Sequence, residues 1–101
     1  DVQAIKRAVK NIILTNRYEK PFNSEFGCNL RGFLFENLTD PVLVLMKDRI
    51  STAIEKYEPR VTVEDIVIKD DGKNGVNIMV SFLVTGSEEP VTVSTFLKRV
   101  R

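Results

Sequence analysis

The chain has 101 residues, 43% of them apolar and 29% charged, with a net charge of +1. That length supports one domain around a single core. The composition is not that of a disordered chain, and the charge balance lacks the basic excess of a dedicated nucleic-acid binder. Histidine is absent, which removes the commonest general base and the commonest transition-metal ligand. The one cysteine, Cys28, has no intramolecular disulfide partner, so an intracellular or virion-interior setting is expected rather than a small secreted one. No apolar run approaches the ~18 residues of a membrane span. The chain opens on Asp1 rather than Met, without a signal-peptide pattern, which leaves open whether N-terminal residues are missing.

Val2, Ile5, Val9, Ile12 and Ile13 recur at helical spacing and predict an amphipathic helix over about 2–15. Its polar side is basic: Lys6, Arg7 and Lys10, followed by Arg17 and Lys20, stand against Glu19 alone. A solvated face is the ordinary explanation, and a stripe for an acidic partner is the other. Residues 16–29 carry turn and breaker chemistry in Asn16, Pro21, Asn23, Ser24, Gly27 and Asn29. Phe22 and Phe26 within them are expected to pin the loop to the core, since exposing phenylalanine is costly. Leu30, Phe33, Leu34 and Leu38 suggest a short helix over about 30–37, weakened by Gly32.

Asp40-Pro41 is a helix start: the carboxylate can accept from free backbone N–H groups, and proline at the first helical position forfeits no bond. Val42, Leu45, Met46, Arg49, Ile50, Ala53, Ile54 and Tyr57 then predict a helix over 41–57. Pro59 ends it, because proline pushes the residue before it out of the helical region. The corner Glu58-Pro59-Arg60 thus holds two opposite charges on a stiff junction. It reads either as a helix-to-strand connection with a local ion pair or as a docking corner whose charges meet a partner.

Beyond Val61 the period becomes alternating, predicting strands over about 61–69, 76–85 and 91–100. Glu64-Asp65 shifts the phase by one residue, so a bulge or break is expected to keep Val61, Val63, Ile66 and Ile68 on one face. Asp70 to Gly75 and Gly86 to Pro90 are the connecting turns. In the last strand Val91, Val93, Thr95 and Leu97 share one face, and Phe96 and Val100 the other. The fold class is α+β: two main helices and a short helix packed on a three-stranded antiparallel β-meander, a single domain over 1–101. The last strand would form an edge blunted only by Pro90 and by Lys98, Arg99 and Arg101. Such an edge is either covered by the protein's own N-terminal helix or by missing residues, or open to a strand from another chain.

Catalytic chemistry finds little support. The glycines are scattered, no metal-ligand cluster is present, and no nucleophile stands beside a base. The pairs Glu64-Asp65, Asp70-Asp71 and Glu88-Glu89 fall in exposed junctions and cannot face each other across a cleft as glycoside hydrolysis requires. Glu36, after Leu34-Phe35, is better placed for burial but stands alone.

Leu14-Thr15, Arg17, Pro21, Phe26-Gly27, Leu30 and Leu34-Phe35-Glu36, followed by Glu58-Pro59-Arg60-Val61, give the chain its resemblance. It resembles the phage contractile-tail baseplate wedge and sheath-initiator family, also called lysozyme-like, which includes the type VI secretion baseplate subunit. The small-wedge-protein branch of T-even-type phages is nearest in motif, and the resemblance covers nearly the whole chain. One departure is Asn16, which stands before Arg17 where relatives often carry an acidic residue.

The resemblance implies a structural, non-enzymatic baseplate wedge protein of the virion tail, present in the host cytoplasm during assembly. Glu58, Pro59 and Arg60 would grip the wedge core bundle. The strand holding Val91, Val93, Thr95 and Leu97 would receive or mimic an arm of the tail sheath protein and so initiate sheath polymerisation. Its implied partners are other wedge proteins and the sheath, with no nucleic acid, membrane, metal or cofactor. The chain would be monomeric alone and repeated around the tail axis. The competing function is a peptidoglycan-degrading tail lysozyme using Glu36 or Glu58 as its acid, a role for which the sequence holds no motif.

Overall fold

The computed structural model describes residues 2–14, 30, 33, 38–71 and 75–98. Helix α1 (Val2–Leu14) buries Ile5, Val9, Ile12 and Ile13. These positions repeat at the helical period, so they form one stripe facing the core. Val2 belongs to the same stripe in sequence but lies exposed at the helix start.

Helix α2 (Asp40–Tyr57) begins one residue earlier than the proline predicts. Thr39 takes the N-cap position in extended geometry without a side-chain bond, and its carbonyl accepts the Leu43 N–H at 2.9 Å. Asp40 is therefore the first helical residue rather than the cap, where its charge favours the positive end of the helix dipole. The buried stripe of α2 is Met46, Ile50, Ala53 and Ile54, whereas Leu45, grouped with them by spacing, is exposed. At its far end the Glu58 N–H still donates to Ile54 O at 2.8 Å, and the chain then turns away at Pro59.

The short helix expected over 30–37 is a correction. The described residues contain two helices, and of that stretch only Leu30 and Phe33 are described. They are joined by one Phe33 N–H to Leu30 O bond of 3.0 Å, a single i→i+3 turn. Gly32 and the few apolar residues available give such a short segment little with which to nucleate a helix. Among the described residues the architecture is two helices on a three-stranded sheet.

Strands β1 (Val61–Asp70), β2 (Gly75–Val84) and β3 (Val91–Lys98) form an antiparallel sheet in the order β1-β2-β3. The register shifts between Val63 and Asp65, so Glu64 bulges out of the ladder. This insertion restores the phase. Cross-strand rows then line up as Val63–Phe82–Val91, Ile66–Val80–Val93 and Ile68–Ile78–Thr95 on the inner face. Phe82, Val80 and Ile78 of the central strand are fully buried, each contributing roughly 1.5–3 kcal/mol by leaving water. α2 packs over β1 and α1 over β3, closing that face.

The opposite face carries Asn77, Met79 and Ser81 beside Phe96, Ser94 and Thr92, with Ser81 and Thr92 hydroxyls 3.2 Å apart. At Gly75 a Cβ would meet Leu97 O at 2.1 Å and Phe96 Cζ at 2.7 Å, so only glycine fits under that ring. The turn after β2 closes with Ser87 N–H to Val84 O at 2.9 Å and needs Gly86 at a φ of 87°.

Candidate functional site

The corner between α2 and β1 is fixed by backbone bonds before any side chain is considered. Val61 N–H donates to Glu58 O at 3.1 Å, which closes the turn around Pro59. Arg60 O accepts both the Thr85 N–H at 2.8 Å and the Thr85 hydroxyl at 3.1 Å, which ties the corner to the end of β2. Arg60 then doubles back on Glu58. Its Nε donates to Oε1 at 2.6 Å and its Nη2 to Oε2 at 2.9 Å, the two-point fork that matches guanidinium to carboxylate.

The two charges are not placed alike. The Glu58 side chain is 8% exposed and that of Arg60 is 59% exposed. An outward-facing corner therefore presents Arg60 and Pro59, with Glu58 tucked beneath as the group that aims the guanidinium. The Arg60 hydrogen bonds hold the Glu58 carboxyl below its ordinary value against the opposing pull of burial, and the same pairing raises Arg60. Both remain ionised through the neutral range.

The four positions named on β3 also sort by geometry. Val93 and Thr95 are buried and Val91 and Leu97 half-buried, all on the face covered by the helices. Their side chains belong to the core. What β3 offers outward at its far edge is backbone, and among the described residues no other strand pairs with it there. Thr95 Oγ1 is buried without a hydrogen-bond partner among the described residues.

Glu36, Cys28 and the motif residues Thr15, Arg17, Pro21, Phe26, Gly27, Leu34 and Phe35 lie outside the described residues. Leu30 from the same motif is buried in the core, and Leu14 is exposed. Among the described residues no three metal-ligating side chains come together, and no helix is long and apolar enough to cross a membrane.

One polar contact escaped the sequence reading. Glu55 Oε2 accepts the Val63 N–H at 3.0 Å, reaching from α2 to β1. A signal was present: Glu55 and Glu58 sit three residues apart near the C-terminus of a helix, where its dipole disfavours carboxylates. Each carboxylate there is answered by a specific donor.

Two helices on a three-stranded meander, with a clamped arginine at one corner and a third strand paired on one side only among the described residues, define a small α+β module. Residues 1–89 match the family described as baseplate wedge protein gp25, and the chain belongs to that family. Over 73 residues it is 37% identical to baseplate wedge protein gp25 of Enterobacteria phage T4. That match takes in 69% of this chain and 55% of the T4 protein, so it spans about half the length of that relative.

Two solved structures share the fold. One is a crystal structure described as a putative tail lysozyme from Geobacter sulfurreducens, with a TM-score of 0.89 at 17% identity, covering 99% of this chain and 92% of that one. The other is a chain of the anti-feeding prophage baseplate, with a TM-score of 0.66 at 23% identity, covering 94% and 66%.

Proposed function

We propose that this chain is a structural subunit of a contractile-tail baseplate wedge, residing in the virion tail and assembling in the host cytoplasm with other baseplate components. It acts through two surfaces: the Arg60 corner docks on the wedge core bundle, and the β3 edge accepts or mimics a strand of the tail sheath protein to start sheath polymerisation. Alone it is a monomer, repeated around the tail axis on assembly.

The observation that carries this reading is the buried carboxylate of Glu58 holding an exposed guanidinium in two-point geometry. A side chain that loses its rotamer freedom before binding loses less on binding, so a pinned arginine is a preorganised contact for carboxylates or helix C-terminal carbonyls. Family membership supplies the partner class.

Arg60→Ala is the test. The variant is expected to stay folded and monomeric, with its melting temperature within a few degrees of the parent, and to lose incorporation into wedges and sheath. If it unfolds instead, Arg60 is only a structural pairing partner and the docking reading falls.

The lysozyme reading draws on the name of the Geobacter neighbour, and a likeness at 17% identity speaks for fold alone. A general acid needs a carboxyl held protonated by a raised pKa, and Glu58 is shifted the other way. Turnover of purified cell wall, lost on Glu36→Gln, would reinstate hydrolysis.

A further inference from the structure

The two edges of this sheet are finished differently. On β1, the Val61 N–H is taken by Glu58 O at 3.1 Å and the Val63 N–H by Glu55 Oε2 at 3.0 Å. Both acceptors belong to α2 or its C-terminal corner rather than to a strand. One residue further on, Glu64 bulges and breaks the regular spacing of the ladder. An open groove beside it is lined by Lys47, Asp48, Glu64 and Asp65, so charge flanks the same edge. On β3, by contrast, the pairing and the Thr92 hydroxyl contact both run to β2, and among the described residues no further strand pairs with its far edge.

A sheet with two open edges carries a specific hazard. The β3 edge of one copy can pair with the β1 edge of the next, and such a head-to-tail contact does not close on itself but grows into a filament. Charged side chains and bulges at an edge are the usual means of preventing it. Glu55 is exposed and contributes nothing to the core, yet its carboxylate occupies the one donor that β1 would offer just ahead of the bulge.

We propose that Glu55 closes the β1 edge by withholding the Val63 N–H from the β3 strand of a second copy of this chain, leaving β3 as the single edge open to strand addition. The openness of β3 to strand addition rests on the proposed function; the closure of β1 by Glu55 does not.

The test uses the isolated full chain and its Glu55→Ala and Glu55→Gln variants, the second of which keeps an oxygen acceptor. Amide exchange is read at Val63, with Ile78 on the central strand as the internal control, and association is read by sedimentation velocity over a concentration series. In Glu55→Ala the Val63 amide is expected to exchange about tenfold faster or more, with Ile78 unchanged. The same variant is expected to form dimers and larger species at concentrations where the parent and Glu55→Gln are monomeric.

Unchanged exchange at Val63 would overturn the proposal, and so would faster exchange without association. Loss of the folded state in Glu55→Ala would overturn it as well, since Glu55 would then be holding the fold rather than guarding an edge. A parent that never accepts a sheath strand, beside a Glu55→Ala variant that self-associates, would reject the strand-addition reading alone and leave the closure standing.

Discussion

At Glu58 burial and ion pairing pull in opposite directions, and the pairing wins because the guanidinium meets both carboxylate oxygens. A carboxyl whose folded pKa lies below its ordinary 4.5 contributes stability that is complete above that value and lost as pH falls through the folded value. Urea unfolding from about pH 7 downward should therefore show the parent losing stability on acidification more steeply than Glu58→Gln. The two should converge once Glu58 is protonated; parallel profiles would mean that the pair is not formed in solution. The tripeptide revealed a stiff charged corner, but burial decides which charge faces out, and burial depends on β2 and α2 meeting there. Thr95 is a simpler case. Its hydroxyl is buried without a partner among the described residues, and valine has the same shape without the polar atom. Thr95→Val is expected to stabilise the protein by about 1 kcal/mol, read as a rise of about 4–8 °C in melting temperature.

Among the elements, the clearest signals were the long periodic ones. The period change at Pro59 and the phase slip at Glu64-Asp65 located a helix end and a bulge, because each has one mechanical cause in the local backbone. The short helix expected over 30–37 is not among the helices of the described residues, since a few apolar residues around a glycine specify no period of their own. The Glu55 bond was hidden for another reason: it joins residues eight apart across two elements, a contact set by packing rather than by spacing. Gly75 belongs with these long-range effects. From the sequence it is a turn glycine, yet in the sheet its bare Cα faces Leu97 O and the Phe96 ring. Gly75→Ala must push back a strand carbonyl, and is expected to cost about 1–3 kcal/mol in chemical unfolding. In Phe96→Ala/Gly75→Ala only the ring clash is relieved, so most of the penalty should persist.

Across the whole molecule, the inner face of the sheet is closed by two helices, one edge is capped by a carboxylate and a bulge, and the other edge ends the described structure. Under the proposed function, core packing and docking fall largely to different groups. The rows through Ile78, Val80 and Phe82 hold the fold, while Arg60 and the outer amides of β3 touch none of that core packing. Amide exchange should display this division directly. In the isolated protein the amides of β2, bonded on both sides, are expected to be slowest, with Val61 and Val63 protected by their acceptors on α2 and its corner. Along 91–98 protection should alternate, since every second N–H of an antiparallel edge strand points away from its partner. A smooth gradient of protection along β3 would mean that its far edge is already covered, and strand addition would have nowhere to begin. If β3 accepts a sheath strand as proposed, the fast half of that alternating set should become slow, while Val61 and Val63 stay as they were.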